Sequence, residues 1–393
     1  MGGGAQGGAF SRGTADTDII FDPGNFNMRA GVTYVAPHRE FDKNPVAGLV
    51  GTSYTSDYAI PSAAIKLNLA DNFRCAGTIV DNNGGAARYA VPKLSGKLEE
   101  EFTTNEKALT CGVKFQAGPG NFWLLGGGYM ENFTYHRENL FGTRGPTTPD
   151  ATLNLDGQEF GYRVGLAYEI TDIALRGQVM YRSGTQYGAD GMLEAPAIAL
   201  AQALARQGVP NAMNPYAALP PGMQVPVEAL GFGNLPQTVE FKFQSGIAPG
   251  WLGFASVKWS DWSTLTALDV RSKPSAGFPN GVPISSDIYK WRDGWTVTGG
   301  VGHAFNDSVS GLVSLTWDRG VSTGWDLSGD AYTLVLGGLV KDPLGGELRG
   351  GVGFSYLSSA SETQYFGPNG EDLNQSVKAG YAVALNLGYN IKW

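Results

Sequence analysis

Side chains able to do covalent or metal chemistry are few in this 393-residue chain: three histidines, His38, His136 and His303, and two cysteines, Cys75 and Cys111. None of the histidines has a second ligand at zinc-site spacing, so no metal and no cofactor is expected. No serine is read in the strand-to-helix setting of a nucleophile elbow. Ser310 comes nearest to a Ser–His pair, close in sequence to His303, but both fall at one tight turn. These observations argue against an enzyme. The side chains left with a chemical task are cations that could hold a carboxylate. Whether they do depends on which way the elements carrying them face.

Those elements alternate. The chain ends "YAVALNLGYNIKW", in which Tyr381, Val383, Leu385, Leu387, Tyr389, Ile391 and Trp393 fall on every second position. A period of two marks a strand with one greasy and one small or polar face. About fourteen such strands begin near Met28, Ile60, Phe73, Leu98, Phe122, Thr152, Ile173, Thr238, Trp251, Ile288, Val309, Tyr332, Glu347 and Val377. In "EFGYRVGLAYEI", Phe160, Tyr162, Val164, Leu166 and Tyr168 share a face. Short connections such as "LADN", "AGPGN" and "FND" alternate with long ones, as in a barrel with tight periplasmic turns and long external loops. A soluble sandwich has no reason to sort its loops so. The reading is all-β: a transmembrane antiparallel β-barrel of about fourteen strands, with greasy faces on lipid and polar faces on the lumen.

Composition agrees. Gly supplies 57 residues, Trp 9 and Tyr 17, and the mean hydropathy is −0.14. No run approaches the ~18–20 apolar residues of a membrane helix. The charge is −8, from 28 Lys+Arg against 36 Asp+Glu; without a basic stripe, nucleic acid is not a partner. "MGGGAQGGAF" lacks the charged and apolar regions of a secretory leader, so an exported form would be the mature chain.

Three segments depart from the pattern. Residues 1–27 do not alternate and turn at Asp22, Pro23 and Gly24. A lumen this wide would stand open unless filled, which favours an N-terminal luminal plug over a free tail, with the barrel at 28–393. Residues 190–234 read as a long extracellular loop with a short helix, "APAIALAQALARQG", opened by Pro196 and stopped by Gly208. Ile198, Leu200, Leu204, Met213 and Tyr216 make it apolar, which suits either a binding surface or a lid packed on its neighbours. In "VDNNGGAARYA", Asp81, Asn82, Asn83, Gly84 and Gly85 interrupt the third strand, as at a bulge or bend. Cys75 and Cys111 fall opposite one another across the third and fourth strands. An oxidising compartment would permit a disulfide; two small residues facing lipid is the other reading.

Along most of its length the chain resembles the FadL-type outer-membrane transporters of long-chain fatty acids and other hydrophobic compounds. The residues that carry this are "DNFRCAGTIVDNNGGAARY", "LDGQEFGYRVGLAYEI", "QVMYRSGTQY", "LPQTVEFKFQSGIAPGWLGFASVKWSDWS" and "WRDGWTVTGGVGHAFND", in order and at compatible spacing. The resemblance implies a fourteen-stranded, plugged barrel in the outer membrane of a Gram-negative bacterium. Ligands would bind at an external apolar groove, then in a luminal pocket, and leave sideways where the third strand kinks. Asp22-Pro23-Gly24 stands where the family usually has Asn-Pro-Ala. The family places cations close to Arg137 and Lys290, and by alternation Arg74, Lys114, Arg163 and Arg182 also point inward. Arg137, Lys290, Arg163 and Arg182 are the luminal carboxylate candidates. The expected function is passive uptake of hydrophobic molecules, long-chain fatty acids first, by a monomer surrounded by outer-membrane lipid. Aromatic-hydrocarbon transport and a general diffusion porin are the alternatives.

Overall fold

The computed structural model describes residues 9–143, 149–343, 345–364 and 375–392. Alternation does produce strands. They are β1 Phe26–His38, β2 Tyr58–Ala70, β3 Phe73–Arg88, β4 Lys97–Ala117, β5 Gly120–Asn139 and β6 Ala151–Ile170. Four follow in two collinear segments each: β7 (Leu175–Arg182, Thr185–Pro196), β8 (Gln224–Leu235, Thr238–Ala248), β9 (Trp251–Ser260, Ala267–Ser272) and β10 (Pro283–Ile288, Gly294–Ala304). The last are β11 Val309–Asp318, β12 Ala331–Lys341, β13 Glu347–Leu357 and β14 Gly380–Lys392. Every strand is antiparallel to its neighbours, and β14 returns to β1 in register from Asn27↔Lys392 to His38↔Tyr381. The fourteen strands therefore close into a barrel, with β14 against β1.

The barrel is inside out relative to a soluble protein. Large apolar side chains such as Leu109, Phe160, Tyr162, Leu334, Phe354 and Leu387 lie on the outer surface, while Lys66, Glu106, Glu131, Arg163 and Gln178 are buried inside. That is the face assignment lipid requires. Trp393, the expected final aromatic anchor, lies outside the described residues.

The expected loop at 190–234 is shorter than its sequence suggests. Residues 190–196 continue β7 and 224–235 open β8, paired from Gln224↔Pro196 to Leu235↔Thr185. What remains is α1, Ala197–Arg206, and a return segment. Gly208 ends the helix at φ +81°, a left-handed conformation that glycine adopts without a Cβ penalty.

Residues 9–25 run inside the barrel against its inner wall. Thr17–Phe21 form one 3-10 turn that buries Ile19 and Ile20 against Trp123, Leu125, Ala167 and Met180. Polar bonds reach around the wall: Asp18 accepts from Gln178 Nε2 at 3.1 Å and Lys242 Nζ at 3.3 Å, and Arg29 holds Asp16 at 2.7 Å as well as Asp22. At the turn, Gly24 has φ +89°, and Lys66 Nζ donates to the carbonyls of Asp22 (3.0 Å) and Gly24 (2.6 Å).

Cys75 and Cys111 are directly paired across β3 and β4 and form a disulfide. It closes a loop with a sequence separation of 36. A loop of that size is worth up to ~4 kcal/mol in the chain-entropy model, an upper bound because residual structure in the unfolded chain lowers it. Denaturant titration of the folded barrel, followed by its heat-modifiable gel mobility, should show the reduced protein unfolding first, with the wild-type mobility kept before the transition.

Candidate functional site

The lumen above the N-terminal segment holds a cavity of about 410 Å³. Its wall carries a cluster of rings built on Phe10. Phe10 meets Phe102 edge-on at 4.5 Å, Trp291 at 4.7 Å and Tyr289 at 5.5 Å between centroids. Phe133 continues the series to Tyr187 at 5.0 Å. Aromatic pairs at such distances and tilts add to the burial of their faces, so this wall is apolar and stiff. Asp326, in the connection between β11 and β12, also lines it. Burial pushes its carboxyl above the usual range, against hydrogen bonds from Ser328 Oγ and Trp291 Nε1.

A second pocket of about 120 Å³ lies under α1. Leu200, Leu204 and Tyr216 face it, with Leu153 and Leu193 from the barrel wall and Arg137 at its rim. Ile198 and Met213 do not take part; they are 37% and 75% exposed. One contiguous apolar cluster runs from Leu200 and Leu193 through Leu155, Tyr187 and Phe133 to Phe102 and Trp291. The two pockets thus border one packed apolar cluster.

The wall has a break beside the larger cavity. β2 and β3 pair only from Ala70↔Phe73 to Ser62↔Val80. Beyond Val80, β3 leaves β2 while keeping its ladder to β4, with a register shift between Asp81 and Asn83. Asn82 is the extra residue, and it turns inward. Its Nδ2 donates to Glu131, and its Oδ1 accepts from Thr104 Oγ1 at 2.8 Å. Asp81 is held by Asn105 Nδ2 at 2.8 Å. The N-terminal segment lies along the vacated edge: Arg12 N donates to Asn82 O (2.9 Å), Gly13 N to Asp81 O (3.0 Å), and Gly84 N to Phe10 O (2.8 Å). Gly84 and Gly85 let it approach, since a Cβ on Gly85 would sit 2.8 Å from the Phe10 ring.

The model of the outer membrane protein transport protein family (OMPP1/FadL/TodX) matches residues 104–310. The chain belongs to this family. Its barrel is accordingly an outer-membrane transport channel of a Gram-negative bacterium for hydrophobic compounds. The fold of this FadL/TodX-family channel is similar to that of a Pseudomonas aeruginosa FadL homologue, with TM-score 0.73 at 13% identity, covering 100% of this chain and 96% of that one. It is also similar to the P. putida toluene transporter TodX (TM-score 0.64, 12% identity, 95% and 92% covered). The Ralstonia pickettii toluene transporter TbuX gives TM-score 0.62 at 12% identity, with 99% and 97% covered. No curated protein sequence matches the chain well enough to count.

The carboxylate candidates of this channel fare unequally. Arg137 reaches the outer pocket, its Nε spent on Asn139 Oδ1 at 2.8 Å. Lys290 sits in the irregular stretch between the two segments of β10. The strand is broken at 289–293, so alternation fails there; the residue is exposed at φ +43°, with its Nζ 4.2 Å from the Trp325 ring centroid. Arg163 and Arg182 do point inward, but Glu106 takes both, and Glu131 accepts from Arg182 at 2.9 Å. Two cations against two buried carboxylates leave no charge for a ligand. Gly320-Val321-Ser322-Thr323-Gly324 has nucleophile-elbow spacing, which the sequence reading passed over. It lies in the irregular connection between β11 and β12, no helix follows, and Ser322 Oγ donates to Asp326 O at 2.7 Å.

Proposed function

We propose that this channel takes up long-chain fatty acids passively. They would settle in the pocket under α1, move along the apolar cluster into the ring-lined cavity, and leave sideways between β2 and β3 into the bilayer. The residues 9–25 inside the barrel would act as its plug, and the working unit would be a monomer in outer-membrane lipid. Cavity size carries the choice of substrate. About 410 Å³ is far more than the ~150 Å³ apolar cavity that suffices for benzene. Sideways release has a thermodynamic reason as well: each methylene entering lipid instead of water gains ~0.8 kcal/mol.

A second reading, aromatic hydrocarbons, is favoured by the rings around Phe10. Binding to the purified barrel in detergent, followed by quenching of tryptophan fluorescence, separates the two. Saturable binding of hexadecanoate that toluene does not displace supports the first. Toluene binding without hexadecanoate binding moves the conclusion to the second, and no saturable binding of either removes both. A general diffusion porin would conduct steadily in a planar bilayer, where a filled lumen should be nearly silent.

A further inference from the structure

We infer that Arg12, a residue of the N-terminal segment, is the group in the large cavity that receives an acidic head, so that the cavity prefers carboxylic acids to neutral molecules with the same tail. The inference rests on reading this cavity as the substrate site and names the residue that would set its selectivity.

Among the described residues four cations line the cavity, and they differ in what already occupies them. Lys97 is bound by Glu100 at 2.6 Å and Asp287 at 2.9 Å. Arg39 gives its two terminal nitrogens to the carbonyls of Leu327 (2.8 Å) and Ser358 (2.7 Å). Lys93 lies over the Tyr89 ring at 5.4 Å. Arg12 is only 4% exposed, yet among the described residues no carboxylate lies within ion-pair distance of it. Its Nε is buried without an acceptor, and Nη1 has one long bond, 3.4 Å, to Thr103 Oγ1. Among the described residues the guanidinium also lies 4.3 Å over the Tyr58 ring, while Glu101 and Asp81 act on it only from beyond ion-pair distance. A buried guanidinium that no carboxylate pairs directly costs free energy, and its planar donor fork matches a carboxylate.

The setting suits an amphipathic acid. Gly84 makes the seat: a Cβ there would lie 2.6 Å from Arg12 Nη1. Phe10, two residues earlier on the same segment, is the centre of the ring cluster. A head on Arg12 therefore leaves the tail beside those rings. Arg12 escaped the sequence reading because "FSRGTADTD" carries no alternation that would orient it.

The test compares hexadecanoate with hexadecan-1-ol, which share a tail, on the purified full-length barrel. Wild type should bind the acid at least about tenfold more tightly, the lower end of what a charge-assisted hydrogen bond contributes. Arg12→Gln should lose that preference with the alcohol's affinity unchanged, and Arg12→Lys should restore part of it. Gel mobility confirms that each variant is a folded barrel. Undiminished preference for the acid in Arg12→Gln overturns the inference, and so does an equal loss for acid and alcohol, which marks a packing role. If wild type binds neither probe, the cavity reading itself fails, a result distinct from any of these.

Discussion

Uptake through the Gly84→Val, Gly85→Val double variant should fall to the level of cells lacking the channel. A side chain at position 84 must displace the Arg12 guanidinium, whose Nη1 would be 2.6 Å from the new Cβ. A side chain at position 85 wedges between rings already in contact, 2.8 Å from Phe10 and 3.0 Å from Phe102. The arginine tip can swing away; the two rings have little room to do so, because Trp291 and Tyr289 back Phe10. Overpacking of this kind costs ~1–3 kcal/mol per site, which a closed barrel survives. The route past β3 would not survive it, because the volume is added at the break in the ladder. Gly77→Val is the control. It lies on the same strand with nothing within 4 Å of a Cβ, so it adds a side chain only to the outer face. Labelled hexadecanoate uptake, normalised to folded barrel in the membrane, reads the difference. Equal rates in the double variant, the control and wild type would remove the lateral route.

The barrel was legible because lipid on one side and polar groups on the other write a period of two into every strand they bound. The pattern fades where that condition lapses. "TQYGADGMLEAP" and "QVPVEALGFGNL", the outer halves of β7 and β8, carry glycine and proline and lack a strict greasy face, so from residue 190 to 234 they read as loop although they pair along twelve residues. Lys290 could not be oriented for a related reason: alternation does not cross the break at 289–293. Arg163 and Arg182 show a different failure. Their inward direction followed from parity, yet parity also turns Glu106 and Glu131 inward, and pairing the four charges would have withdrawn both arginines as ligand contacts. The place of the N-terminal segment along β3 had no such signal. It depends on backbone bonds to an edge that exists only because β3 leaves β2.

That edge is itself held by charge, so Glu131→Leu should be among the most destabilising single substitutions in the lumen. Glu131 is fully buried and accepts from Arg182 (2.9 Å), Thr185 Oγ1 (2.8 Å) and the side chain of Asn82, the extra residue of the β3 bulge. Removing it leaves two arginines for one carboxylate in a buried site. Breaking a buried pair from one side costs ~3–5 kcal/mol, where an exposed pair would cost a fraction of that. The midpoint of denaturant unfolding in detergent should drop accordingly. Adding Arg182→Met restores the count, since Glu106 keeps its bond to Arg163, and most of the lost stability should return. Asn82, however, regains no acceptor on β5. The double variant should therefore be a stable barrel whose β3 bulge is no longer pinned inward, and hexadecanoate uptake should stay impaired while the melt recovers. A single variant as stable as wild type would mean that the network carries no strain of charge. Recovery of stability and uptake together would mean that Glu131 does not position the opening.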